Sequence, residues 1–446
     1  MYQFPEGLYT DVRIEDVFET LILVTLGEIE EFKDKHYTAA FIRLYDGRRW
    51  FYAATTDVDG IQREIDALAA MATPAPVVDA DEIVRALEAN QGEYLAFTGD
   101  DDVSTISKQT KYELLSHYLP AIDGRDAVVT WTGQYVDRRA VKTFLSSKGA
   151  DLKFDTQRVG LWLGFSLAEG ENRLSESFQR GANRFDDLRG LEAEIEDRYQ
   201  ESLRFLRDAV DLVPGAYTTV LSPLAAGVFA HESFGHKSEA DFMLGDETMQ
   251  QEWQLGKVVG APILSIVDDG GELGSGYTPF DDEGTRANKT WLIDKGVLAG
   301  RLHSGTTAAH LREGVTGNAR AINFEFEPIV RMTTTYVDKG DLEFDELLAP
   351  IQEGILVKTI KHGSGMSTFT LAPSLAYMIR DGKVAEPVRV SVITGNVFKT
   401  LGEIDGLTNR VELLSFARGG CGKMEQYPLP VGFGGPWVRV RALNVQ

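Results

Sequence analysis

The sequence lacks the features that would tie it to an oxidising compartment or a membrane. Its 446 residues include one cysteine, so no internal disulfide can form. No stretch approaches the roughly 20 apolar residues needed to cross a bilayer. The first residues also lack the basic start and apolar core of a secretory signal. These absences predict a cytoplasmic protein with no membrane segment.

Basic residues are scarce relative to acidic ones. Lys and Arg number 45 against 68 Asp and Glu, which gives a formal net charge of -23 at pH 7. Such a surface repels phosphate backbones and anionic lipids, and no local basic patch interrupts it. The charge therefore argues against a nucleic-acid partner and against a membrane-surface role.

Apolar residues, at 43% of the chain, are numerous enough to form more than one core. Alternating and helical periodicities predict a series of local elements in the first half. These are a hairpin over residues 38–54 with Asp46-Gly47 as a two-residue turn, helices over 61–71, 107–119 and 186–210, and several antiparallel strands over 127–165.

The domain division is expected at Pro214-Gly215, which follows the last of these helices. The hairpin-rich pattern favours an α+β fold over a doubly wound sheet. We expect a mixed strand and helix domain over residues 1–213, which could divide again near 72–76, and a largely antiparallel, β-rich domain over 214–446 that carries the functional site.

A candidate metal-binding helix begins at Ser222, a suitable N-cap, followed by Pro223 at the first helical position. It delivers His231 and Glu232, and His236 follows. Zinc peptidase signatures usually separate the two histidines by four positions, whereas five separate them here. In a regular α-helix that spacing leaves the rings roughly 140° apart. Shared binding of an ion therefore requires a π-bulge or a helix end near Gly235.

A catalytic zinc ion usually has three protein ligands and an open fourth position. Cys421 is the natural third ligand, because flanking glycines let its backbone approach an ion closely. Taken singly, a cysteine is more often a small buried apolar residue, and a histidine is more often satisfied by hydrogen bonds. The combination of all three residues is what favours a metal site.

Further blocks of sequence accompany this motif, and together they resemble the TldD/PmbA family. The blocks are Lys237-Ser238-Glu239-Ala240-Asp241-Phe242, Val267-Asp268-Asp269, Phe280 to Thr285, Thr316-Gly317-Asn318, Arg331 to Tyr336, Cys421-Gly422-Lys423 and Pro430-Val431-Gly432. The N-terminal half resembles the family only in outline. The stretch Lys361-His362-Gly363-Ser364-Gly365 departs from the family's Gly-rich segment, so the resemblance does not extend to substrate preference.

The resemblance implies a zinc-dependent peptidase with His231, His236 and Cys421 as Zn²⁺ ligands and Glu232 as the catalytic base. It also implies an unfolded peptide substrate and a dimeric enzyme, either a homodimer or a heterodimer with a related subunit.

One alternative is a non-catalytic partner or scaffold protein with a structural metal, which would need a fourth ligand such as His303 or His310. A separate hypothesis is that Glu239 and Asp241 do not bind the ion themselves but orient a ligand histidine through contacts with its ring.

Overall fold

The computed structural model describes residues 2–365 and 367–446. Its N-terminal half is built on one seven-stranded sheet in the order β3-β2-β1-β5-β6-β4, with β7 pairing to β6. All neighbours are antiparallel except β4 and β6. The strands are β1 (Tyr9–Thr25), β2 (Glu28–Tyr45), β3 (Trp50–Thr55), β4 (Gln91–Tyr94), β5 (Val128–Ser146), β6 (Asp151–Glu169) and β7 (Asn172–Ala182).

Four helices cover this sheet: α1 (Ile61–Met71), α2 (Glu82–Ala86), α3 (Lys108–Tyr118) and α4 (Glu192–Asp208). The buried stripe of α1, formed by Ile61, Ile65 and Leu68, packs against Val12 and Ile42 of the sheet. Helices α3 and α4 bury their apolar faces in a separate cluster on β5 and β6. The 3.6-residue periodicity therefore marks the faces that the sheet covers.

Several local predictions are confirmed, with differences in detail. The hairpin exists, but Tyr45 pairs with Trp50, so its loop has four residues. The Asp46 side chain accepts hydrogen bonds from the backbone N–H groups of Arg48 and Arg49, which stabilises this longer loop. The several strands expected over 127–165 are two long strands, β5 and β6. The helix expected from residue 186 begins only after Gly190, whose φ of 72° breaks the helical path.

The C-terminal half contains two large sheets. One has eight strands in the order β16-β9-β25-β19-β17-β18-β8, with β20 pairing to β25, and the other has the order β12-β11-β10-β15-β24-β21. Most neighbours are antiparallel, as expected. The strands of the eight-stranded sheet are β8 (Val210–Asp211), β9 (Gly215–Leu221), β16 (Glu353–Gly365), β17 (Thr368–Arg380), β18 (Lys383–Arg389), β19 (Ile393–Asn396), β20 (Ile404–Leu407) and β25 (Val438–Val445).

The six-stranded sheet consists of β10 (Ile266–Asp269), β11 (Lys289–Asp294), β12 (Val297–Leu298), β15 (Thr334–Val337), β21 (Glu412–Leu414) and β24 (Gly432–Gly435). Two small hairpins pair β13 (Ala319–Arg320) with β14 (Ile329–Val330), and β22 (Cys421–Lys423) with β23 (Gln426–Leu429). The helices are α5 (Pro223–Ala230), α6 (Glu247–Glu252), α7 (Gly305–Leu311), α8 (Phe344–Leu348) and α9 (Val397–Gly402). Among the described residues, no helix has the length and apolar character to cross a membrane.

Helix α5 contacts strands of both large sheets and lies in the main core of this half. Its Ala226 and Phe229 are buried, and Phe229 packs edge to face on Phe369 of β17. Gly227 lets the helix lie close to β24, since a Cβ at this position would lie 2.4 Å from the backbone nitrogen of Gly434. The helix is therefore held rigidly at its contact with β24. The domain boundary at 213/214 stays a prediction, and β8, just before it, pairs with β18.

Candidate metal centre

The helix that carries the motif begins as predicted, with the Ser222 hydroxyl accepting a hydrogen bond from the backbone N–H of Ala225. At its other end α5 runs directly into a π-helical turn, His231–Gly235, in which the backbone N–H of His236 donates to the carbonyl of His231. Because this bond links residues five apart, it brings the two histidines onto one side. Their ring centroids lie 5.0 Å apart. Of the two alternatives predicted for this spacing, a π-bulge or a helix end near Gly235, the structure contains the π-helical turn.

Gly235 makes room for this turn against the buried side chain of Met332. A Cβ at this position would lie 2.1 Å from the sulfur of Met332, whose side chain is fully buried. Such a contact is far inside van der Waals range, so either the sulfur or the turn would have to move. The absence of a side chain at Gly235 thus lets the turn that carries His236 pack closely on Met332.

We predict that Gly235→Ala lowers the free energy of unfolding by about 1–3 kcal/mol, the usual range for an overpacked core. Urea denaturation would measure this change, and metal analysis would report whether His236 has moved. Gly402→Ala is the matched control, because a Cβ there would meet nothing within 4 Å. An unfolding free energy equal to that of wild type would show that the Met332 side chain can move aside without loss.

Cys421 meets the two histidines from a distant part of the chain. It is the first residue of β22, and its Sγ lies 3.4 Å from His236 Nε2 although the two residues are 185 positions apart in the sequence. One donor atom from each of His231, His236 and Cys421 falls within 4.8 Å of the others. All three predicted ligands are therefore brought together, and His231 and Cys421 are buried.

The electrostatics of this cluster favour a cation. Burial alone would raise the pKa of Cys421, but the charge of His231 and hydrogen bonds from both histidines lower it to about 5. Burial alone would lower the pKa of His236, but hydrogen bonds to Cys421 and Glu239 raise it to about 10. The sulfur is thus held as a thiolate, and a metal ion can replace the shared protons. One thiolate and two imidazoles match the donor chemistry of zinc.

Behind the histidines lies a buried group of charged side chains. Glu239 Oε2 is 3.2 Å from His236 Nδ1 and 3.0 Å from Lys423 Nζ. A carboxylate in this position fixes the orientation of the ring and leaves Nε2 for an ion. Asp241 instead accepts hydrogen bonds from Lys423 Nζ, at 2.6 and 2.8 Å. Of the two acids expected to orient a histidine, Glu239 contacts the His236 ring directly. Asp241 contacts Lys423, which in turn contacts Glu239.

Glu232 lines the same cavity as the three candidate ligands. The cavity has a volume of about 490 Å³, and Glu232 lies on its wall beside β16. A Cβ placed on Gly363 of that strand would lie 3.5 Å from the Cγ of Glu232. The wall also includes residues not singled out as functional from the sequence, namely His362, Arg158, Arg418 and Tyr427. His362 lies in the stretch that departs from the family pattern.

The two histidines considered as a fourth ligand are engaged elsewhere. The buried ring of His303 lies between the Thr307 hydroxyl at 3.1 Å and the Glu313 carboxylate at 2.9 Å. The His310 Nδ1–H donates to the carbonyl of Thr306. Across residues 2–365 and 367–446, the candidate metal cluster contains His231, His236 and Cys421 and no fourth donor. This arrangement has the ligand number of a catalytic site rather than that of a closed structural one.

Comparison with known families places both halves of the chain in one group. A family model described as the PmbA/TldA metallopeptidase C-terminal domain matches residues 214–446. A second, described as PmbA/TldA metallopeptidase domain 1, matches residues 10–72. The candidate metal centre lies wholly within the first of these matches.

Individual relatives agree with this assignment. A metalloprotease of Synechocystis sp. is 31% identical over 98% of this chain and 94% of its own length. A zinc metalloprotease TldD homolog of Saccharolobus solfataricus is 32% identical over 52% of each chain. A crystal structure from Thermotoga maritima, described as a candidate modulator of DNA gyrase, superimposes with a TM-score of 0.79 over 99% of this chain and 96% of that one. Its sequence identity is 19%, so it supports the fold.

Proposed function

The chain belongs to the PmbA/TldD metallopeptidase family, and from that premise we propose that it is a zinc-dependent peptidase. In this proposal His231, His236 and Cys421 hold the ion, and Glu232 is the general base. The alternative, a scaffold with a structural metal, would require a fourth protein ligand.

One observation carries the proposal: a three-donor cluster and a carboxylate share a cavity. The donors lie within 4.8 Å of one another, and Glu232 follows directly after one of them on a rigidly packed turn. Three protein ligands leave a coordination position for water or substrate. A carboxylate beside that position is placed to move a proton rather than to bind the ion.

When bound, a zinc ion would lower the pKa of a coordinated water and polarise the scissile carbonyl. The residues of the chain supply the remaining chemistry. Glu232 accepts a proton from the attacking water on its carboxylate and passes that proton to the departing amine. Glu239 holds the His236 ring by its Nδ1 and keeps Nε2 directed toward the site.

The substrate class that we propose is an unfolded peptide or small protein. The cavity is lined by residues of β16, among them Gly363, and by Val431 just before β24, so an extended peptide has strand segments to lie against. Dimerisation, with a second copy or with a related subunit, is part of the proposal and follows from family resemblance.

The proposal predicts that metal removal abolishes peptide hydrolysis and that zinc restores it. Purified protein would be assayed on unfolded casein and a mixed peptide library before and after treatment with a chelator, with zinc counted per chain. We expect about one zinc per chain, because one three-ligand site accounts for the family's donor set. Hydrolysis that persists in metal-free protein would refute the mechanism. Full zinc occupancy without hydrolysis of any substrate would favour the scaffold alternative.

A further inference from the structure

Arg158 occupies an unusual position between the N-terminal sheet and the metal cavity. It lies on β6, directly opposite Arg138 of β5 in the antiparallel register. Like charges placed directly opposite each other destabilise a strand pair. Arg138 is compensated, since Glu19 lies 3.0 Å and Glu15 3.6 Å from its guanidinium. Arg158 instead faces the cavity that contains the candidate ligands.

In the described parts of the chain, no carboxylate lies within ion-pairing distance of Arg158 and no acceptor forms a hydrogen bond with it; Glu19, which pairs with Arg138, acts on its charge only from further away. Burial, with the nearby charges of Arg138 and Arg320, lowers its pKa to about 10, so the side chain remains positive at neutral pH. An unpaired and partly buried guanidinium is rare because both its charge and its five donors need partners.

A second cation lies on the same wall. The guanidinium of Arg418 packs over the ring of Trp162, 4.4 Å from its centroid, and it too has no acidic partner among residues 2–365 and 367–446. Glu232 is the acidic side chain on this wall, and it lies beside the metal ligands. In a chain with a net charge of -23, a cavity lined by unpaired arginines is a local reversal of sign.

We propose that Arg158, supported by Arg418, binds a carboxylate of the peptide substrate and so determines which peptides are cleaved. This inference rests on the proposed peptidase function and adds a specificity determinant to it. The planar guanidinium can form two parallel hydrogen bonds to a carboxylate, which fixes both position and orientation. The group bound is the C-terminal carboxylate of a short peptide or an acidic side chain within it.

Three forms of one hexapeptide of alanine and leucine would test the inference: the free acid, the C-terminal amide, and the amide with one internal glutamate. We expect the peptide that carries the recognised carboxylate to have a kcat/KM about 10 to 100-fold above the plain amide, which is the scale of a charge-assisted hydrogen bond. Preference for the free acid identifies the terminal carboxylate, and preference for the glutamate peptide identifies the side chain. Equal cleavage of all three overturns the inference and leaves the peptidase function intact.

Variants at Arg158 separate binding from structure. Arg158→Gln should lower the kcat/KM of the preferred peptide to about that of the plain amide, while Arg158→Lys, with its charge but no planar fork, should keep part of the preference. Arg158→Gln should also melt at or above the wild-type temperature, because it relieves the contact between like charges. Arg48→Gln, at an exposed arginine in the β2–β3 loop, is the matched control for net charge. A large loss of thermal stability in Arg158→Gln would assign the residue a structural role and overturn the inference.

Binding without turnover provides a readout that is independent of catalysis. Calorimetric titration of the free-acid, amide and glutamate peptides into Glu232→Gln protein should show the same preference, and the preference should be lost in the Glu232→Gln/Arg158→Gln double variant. If wild type cleaves none of the peptides but binds a carboxylate form through Arg158, the peptidase proposal fails and the binding inference stands. Equal affinity for all three peptides would overturn the inference.

Discussion

Replacement of Glu232 by glutamine should reduce peptide hydrolysis by about 10² to 10⁴-fold, the usual contribution of a positioned general base. The amide has nearly the same shape as the carboxylate but cannot accept the proton of the attacking water. Because Glu232 lies outside the three-donor cluster, the variant should retain its zinc and its thermal stability. Initial rates on the peptide library, measured with zinc counted per chain, would check both expectations.

Glu425→Gln is the matched control for this result. Glu425 is an exposed glutamate in the β22–β23 hairpin, just beyond Cys421, and it does not line the cavity. Its replacement removes the same charge from the same region and should leave the rate unchanged. If Glu232→Gln cleaved peptides as fast as wild type, the base would have to be another group, even with the metal in place.

Replacement of Cys421 by serine should weaken zinc binding by more than about 100-fold, since loss of an outer partner of a ligand typically costs 10 to 100-fold. A neutral, hard hydroxyl would replace a soft thiolate whose negative charge offsets that of the ion. Peptide hydrolysis should disappear together with the metal. Competition with a chromogenic chelator would measure the affinity, and mass spectrometry of the native protein would count the ions.

Ser233→Ala tests whether any small change in this buried region would have the same effect. Ser233 lies on the π-helical turn between the two histidines, is fully buried, and its hydroxyl has no hydrogen-bond partner among the described residues. Its removal should leave zinc affinity unchanged. Full retention of zinc by Cys421→Ser would remove Cys421 from the ligand set.

Much of the fold is predictable from local periodicity, and the failures have local causes. The bounds of α1 follow from Ile61, Ile65 and Leu68, whose spacing is that of one helix face. The Asp46-Gly47 dipeptide predicts a hairpin but does not set its loop length. The Asp46 side chain satisfies two backbone donors of a longer loop, and only Gly47 has a positive φ in this turn. Side-chain hydrogen bonds of this kind are not visible in a hydrophobic pattern.

The candidate site, like the fold, is predictable from the sequence only in part. The five-residue spacing of His231 and His236 predicts a π-bulge or a helix end near Gly235, because helix geometry alone excludes the regular form, but it does not decide between the two. Arg158 could not be identified as a cavity residue, since its position depends on the register that places it opposite Arg138 and on how the sheet meets the 415–418 segment. Residues that reach a cavity only through tertiary packing have no characteristic spacing in the sequence.

The separation of 185 positions between His236 and Cys421 determines when a working site can exist. A growing polypeptide emerges from the ribosome with both histidines and Glu232 long before it carries the thiol. Strands β24 and β25, which complete the two large sheets, are made later still. Because ion capture is coupled to folding, an unfinished chain cannot assemble the proposed centre. Under the proposed function, nascent copies of this protein, which are themselves unfolded polypeptides, therefore lack the complete site during translation.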